Sequence, residues 1–177
     1  MRYFILIVFV FPLVWSSCTA PEIELSEASP NLFRNGNFEN QLLAHDLWSN
    51  QGEGTFDVQA DNAYEGKYAM RLQPESCIEL VYNDQVYVEA GRQYELSLAV
   101  QMAGDPTNCS GDLIMYVYQD AEILLQFNLN KVNAENWVLK KYYLTPVADS
   151  PLHFEIISGV VDTYLDDIRL MQVPEFH

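Results

Sequence analysis

The chain has 177 residues, and its 25 Asp plus Glu against nine Lys plus Arg give a formal net charge of -16. Such a surface repels phosphate backbones and anionic head groups, so it argues against nucleic-acid binding, and any membrane attachment must come from something other than surface charge. Three cysteines without a C-x-x-C pair offer neither a zinc ribbon nor a thioredoxin-type redox site.

Arg2 precedes an unbroken apolar run over residues 3–15, followed by Ser16, Ser17 and Cys18. Thirteen residues at about 1.5 Å each fall short of the roughly 30 Å hydrocarbon core, so the run reads as a signal-peptide h-region and not a membrane span. Ser16 and Ser17 before a lone cysteine resemble a bacterial lipobox, in which the cysteine is diacylated and becomes the first mature residue. Trp15 stands where that pattern usually carries Leu, Val or Ile, with Leu13 and Val14 just upstream. The resemblance implies a signal peptide over 1–17, lipidation at Cys18 and a cell-envelope location held by the lipid anchor, with the outer membrane expected, on its periplasmic or outer side. Ordinary secretion with cleavage near Ala20 is the alternative. Acyl chains burying CH₂ groups at about 0.8 kcal/mol each would anchor the protein durably.

About 160 residues then remain, which suits one domain with a sizeable core. Lipidation of Cys18 leaves Cys77 and Cys109, and an even pair in an oxidising compartment suggests a disulfide; two separate thiols are the alternative. Residues 18–30 are polar, carry Glu22, Glu24 and Glu27 and lack periodicity, as a flexible acidic tether would. From residue 31 to 173 the chain offers short runs rich in β-branched and aromatic residues, predicting strands over 55–61, 68–73, 77–82, 86–89, 93–102, 112–119, 123–130, 137–145, 152–158 and 163–172. Turn signals at Gly66, Gly91, Gly104–Asp105–Pro106 and Gly159 separate several of them. About ten strands without helices of crossover length predict an all-β, antiparallel β-sandwich.

Alternation assigns the faces. Tyr94, Leu96, Leu98, Val100 and Met102 share one side of their strand, opposite Glu95, Ser97 and Gln101. Leu113, Met115 and Val117 alternate with Ile114, Tyr116 and Tyr118, and Leu125, Phe127 and Leu129 with Gln126 and Asn128. The aliphatic parity is expected in the core, and the other carries amides, tyrosines and a carboxylate.

At this point the residues resemble the β-jelly-roll carbohydrate-binding modules of families 4, 9 and 22, within the galactose-binding-like sandwiches. Asn31, Leu32, Asn35, Gly36, Phe38 and Glu39 match an opening N-L-x-x-N-G-x-F-E, with Trp48 following. Ala63, Gly66, Ala69 and Leu72 fit A-x-x-G-x-x-A-L-x-L, with Met70 replacing one leucine, while Gly91, Tyr94, Leu96 and Ser97 resemble G-x-x-Y-x-L-S-F. Trp137 opens a strand as the family's tryptophan does, and Tyr164, Asp166, Asp167 and Leu170 resemble a closing Y-x-D-D-V-x-L.

The resemblance implies first and last strands lying side by side, clamped by a structural calcium on the side chains of Glu39 and Asp166 and the carbonyls of Asn37 and Lys67. Such a hard-oxygen set is what Ca²⁺ takes. The alternative is that both carboxylates cap turns or pair with Arg71 or Arg169. The resemblance also implies a ligand cleft on the non-core face of the central strands. By alternation, Tyr116, Tyr118, Gln101, Gln126 and Asn128 reach it, with Glu79 or Tyr82 at its rim and Trp48 and Trp137 in core-type positions. Rings that stack on pyranose C–H faces beside amides that hydrogen-bond hydroxyls suit a polysaccharide or oligosaccharide. Burial of the two tyrosines is the alternative.

The expected function is a membrane-anchored lipoprotein with a non-catalytic glycan-binding module. The alternative is a structural or adhesion module with an envelope protein partner. An enzyme is not expected: His45, His153 and His177 are scattered, and neither a G-x-S-x-G elbow nor a phosphate-cradling glycine loop is present.

Overall fold

The computed structural model describes residues 29–102, 113–129, 136–159 and 162–174. One short helix and eleven strands follow in order: α1 (Gln41–Leu47), β1 (Trp48–Asn50), β2 (Gly54–Ala60), β3 (Tyr68–Pro74), β4 (Ile78–Tyr82), β5 (Val86–Tyr87), β6 (Tyr94–Met102), β7 (Leu113–Gln119), β8 (Glu122–Asn128), β9 (Val138–Leu144), β10 (Pro151–Ser158) and β11 (Thr163–Gln172). All ten expected strands are present within one or two residues. The two additions, α1 and β1, are too short for periodicity to reveal. Asn40 caps α1 by accepting from the Leu43 N–H, Ala44 and Leu47 face the core, and extended backbone at Trp48 ends the helix.

Two antiparallel sheets pack face to face. Sheet I runs β1-β4-β10-β7-β8, with β5 also paired to β10, and sheet II runs β2-β3-β11-β6-β9. The side-chain period of two therefore sends every second residue of each strand inward. Leu96, Leu98 and Val100 of sheet II and Leu80, Met115, Val117 and Ile156 of sheet I are fully buried or nearly so. At roughly 1.5–3 kcal/mol for each fully buried large aliphatic, this double layer is the main favourable contribution to folding. At one end Phe33 packs on Tyr82 and Phe154, with ring centroids 4.8 and 4.6 Å apart, and Trp48 packs on Tyr82 at 5.0 Å.

The opening motif is tied to the closing strand. Leu32 and Ile168 donate backbone N–H groups to Leu170 and Gly36, and Asn31 bonds the Ile168 carbonyl and the Leu170 N–H. Gly36 stands where any Cβ would collide with the Ile168 carbonyl, so the motif glycine is required by close approach. β7 and β8 are joined by Asp120 and Ala121, both at positive φ, a two-residue turn whose backbone twist suits a hairpin.

Candidate functional site

The outer face of sheet I is built by register. Leu113, Met115 and Val117 are fully buried, which leaves Ile114, Tyr116 and Tyr118 on the outer side of β7, each half-buried. Across β7, Tyr116 lies opposite Gln126 and Ile114 opposite Asn128, and both amide side chains are exposed. On the other side β10 sets Glu155 opposite Tyr116, His153 opposite Tyr118 and Ile157 opposite Ile114. β4 continues the rows with Val81 opposite Glu155 and Glu79 opposite Ile157, and β1 ends one with Ser49 opposite Val81. One row thus reads Ser49, Val81, Glu155, Tyr116, Gln126 across five strands.

The two tyrosine rings stack at 5.9 Å with an interplanar angle of 22°. Tyr118 donates its hydroxyl to Glu155 Oε2 at 2.8 Å, which fixes the ring. Desolvation, and then the hydrogen bond to Glu155, push the Tyr118 phenol up to about 12, so it stays a neutral hydrogen-bond donor at physiological pH. Ordered rings flanked by amides and carboxylates can present a flat apolar surface with hydrogen-bonding groups on either side.

Four of the five expected ligand residues, Tyr116, Tyr118, Gln126 and Asn128, share this face. Gln101 does not: it lies on β6 of sheet II, opposite Tyr164, and its Oε1 accepts from Asn62 Nδ2 at 2.7 Å. Alternation fixes which side of a strand a residue takes, but not which sheet the strand joins. Glu79 belongs to the face, whereas Tyr82 is 2% exposed and hydrogen-bonds the backbone of Arg34. Trp48 is buried as expected. Trp137 is only half-buried, and its ring lies 6.0 Å from Tyr64 and 6.5 Å from Tyr164, outside sheet II. Glu155 and His153 are residues of this face that the sequence reading does not single out. The alternation of buried Leu152, Phe154 and Ile156 is the signal that points them outward.

The two side chains expected to hold calcium, Glu39 and Asp166, both bond to the turn over 61–67 or to Tyr68 just after it. Glu39 Oε1 accepts the backbone N–H groups of Lys67 at 2.7 Å and Tyr68 at 3.0 Å, and these bonds hold its carboxyl below the ordinary range. Gly66, at φ +73°, lies so close that a Cβ would strike that carboxylate. Asp166 is fully buried; its Oδ2 accepts from Tyr64 at 2.9 Å and Glu65 at 3.1 Å, and its Oδ1 from Asp167 at 2.7 Å. Burial still pushes its carboxyl up to about 6, against those three donors. Arg71 pairs with Asp162, and Arg169 with Asp167 and Glu65. Carboxylates are hard-oxygen donors of the kind calcium takes, although the oxygens of Glu39 and Asp166 that face N–H donors already secure the turn. Among the described residues no group of three or more His, Cys, Asp or Glu could hold a metal ion.

Cys77 is disulfide-bonded. Cys109 and Cys18 lie outside the described residues, as do 1–28. No described helix is long and apolar enough to cross a membrane.

No curated protein matches the chain. Among solved structures it resembles TmCBM61 in complex with β-1,4-galactotriose, with a TM-score of 0.64 and 15% identity over 82% of this chain and 100% of that one. Family 16 Carbohydrate Binding Module-2 gives 0.58 and 22% identity over 80% and 99%. The CBM22-1 xylan-binding domain of Paenibacillus barcinonensis Xyn10C gives 0.57 and 18% identity over 85% and 99%. These likenesses show the jelly-roll fold. Residues 30–155 match the carbohydrate binding domain family CBM_4_9, and the chain belongs to that family.

Proposed function

We propose that the domain is a non-catalytic module that binds a glycan chain across β4, β10, β7 and β8, on an envelope protein anchored by lipid at Cys18. The observation that carries the binding reading is the stacked Tyr116 and Tyr118 pair, with Gln126 beside it and Glu155 fixing one ring. Rings of this kind accept the C–H face of a pyranose, and the amides accept or donate to its hydroxyls. β-1,4-Galactotriose and xylan oligomers, named with two of the structural neighbours, are the first ligands to try. Calorimetric titration should give micromolar to millimolar dissociation constants, about -4 to -8 kcal/mol. Absence of binding by any β-linked oligomer would favour a protein-contact module.

Three further parts of the proposal have separate tests. Mass spectrometry of the membrane fraction should find the mature chain acylated at Cys18; a different N-terminus would reject the anchor. Cys109 is the proposed partner of Cys77, to be read by peptide mapping without reduction. Calcium is proposed to sit between Glu39 and Asp166, with the carbonyls of Asn37 and Lys67, where it would reinforce the turn the two carboxylates already hold.

A further inference from the structure

The strands of sheet I carry Glu79, Glu122 and Glu155, and none of the chain's nine Lys and Arg lies on β1, β4, β5, β7, β8 or β10. Glu79 and Glu155 stand on the tyrosine face itself. Since Glu155 is opposite Val81 and Ile157 opposite Glu79, the two residues are diagonal neighbours on adjacent strands, their ladder positions about 7–8 Å apart. Glu155 is bonded to Tyr118, so one carboxylate sits beside the ring against which a sugar would stack. His153, opposite Tyr118, is the one histidine on these strands.

We infer that this face selects glycans without acidic groups: a neutral chain is accepted and a uronate chain is turned away by Glu79 and Glu155. The inference rests on the glycan-binding reading and adds the charge class of the ligand. A uronate carboxylate in the site meets two like charges and no guanidinium or ammonium on these strands. At an assumed separation of about 7 Å, one ligand carboxylate facing one glutamate lowers affinity about threefold in water and about fiftyfold at an effective dielectric near 20, so discrimination of about tenfold is expected. The repulsion is electrostatic and must shrink in high salt. Carboxylates remain useful toward a neutral chain, because each accepts hydroxyl hydrogen bonds.

The test is calorimetric titration of the folded domain with β-1,4-linked glucan and galactan oligomers, and with the same oligomers oxidised at C6 to uronates, at low and at high salt. Wild type should bind a neutral oligomer at least about tenfold more tightly than its uronate form at low salt. The gap should narrow at high salt and in the E79Q/E155Q double variant, where the amide introduced by E155Q retains an acceptor for Tyr118. Equal affinity for both forms, with both weakened about tenfold in Tyr118→Ala, would overturn the selectivity and leave the binding site standing. A gap that persists unchanged in the double variant would also overturn it. No binding of either form by the folded protein would overturn the glycan reading together with the inference.

Discussion

The outer faces of the two sheets come from the same alternation and end with opposite characters. On sheet II the outer side carries Arg71, Lys141 and Arg169 beside Asp57, Glu95 and Asp166, with Asp167 at the bulge, and many of these charges serve the fold. Arg71 holds Asp162, Arg169 holds Asp167 and Glu65, and Lys141 holds Glu95 at 2.7 Å. The turn over 61–67 lies across this face, with Tyr64 and Glu65 bonded to Asp166 and Asn62 to Gln101. Ala99, Ser97 and Asp166 are consequently buried on the outer side of sheet II. On sheet I the tyrosines, amides and glutamates stay half-buried or exposed, with no strand Lys or Arg among them. A polar outward residue thus becomes part of the scaffold or stays open to a ligand according to whether the chain covers it.

The largest effect that can test this division separates neighbours within β7. Met115→Ala removes a fully buried side chain and should cost about 2–5 kcal/mol, whereas Tyr116→Ala, one residue along, should lower stability far less. Denaturant melts of the two variants decide the point, and comparable losses would mean that the tyrosine side is also core.

Next in size is the covered face. If calcium binds between Glu39 and Asp166, saturation at 100 times the dissociation constant should add about 2.7 kcal/mol. A chelator should then lower the melting temperature, and Asp166→Ala should remove that sensitivity. A melt indifferent to chelator would leave the two carboxylates as hydrogen-bond acceptors for the turn alone. Asp166→Ala should destabilise in either case, because it strands the N–H groups of Tyr64, Glu65 and Asp167, at about 1–3 kcal/mol for a buried donor.

Smaller again is the open face. Tyr118→Ala removes one stacking ring and should weaken glycan binding by about 1–2 kcal/mol, roughly tenfold, with little change in melting temperature. The smallest effect sharpens the contrast from the other side: Trp137→Ala outside sheet II should leave glycan affinity unchanged, and a loss there would move the site to the wrong face.

Sheet strands were legible because each spells out its period. In β6 the alternation of Tyr94, Leu96, Leu98, Val100 and Met102 with Glu95, Ser97 and Gln101 admits one arrangement of sides. What alternation could not supply was partnership. Gln101 and Gln126 both point outward, yet they sit on different sheets, since strand order is set by long-range pairing that no local pattern records. Trp137 illustrates a second limit. It directly precedes β9, beside half-buried Val138, and its ring packs against the turn carrying Tyr64, outside the sandwich. β1 left no signal, because three residues span too little of a period; it holds its place through Trp48 in the core and its pairing with β4.

The most direct test of the central claim is amide chemical-shift mapping of the labelled domain during titration with a β-1,4-linked oligosaccharide. The account expects perturbations to cluster on β4, β10, β7 and β8, centred on Tyr116, Tyr118 and Glu155, with the 61–67 turn and β3, β11 and β9 undisturbed. Shifts concentrated around Tyr64, Trp137 and Tyr164 would contradict it.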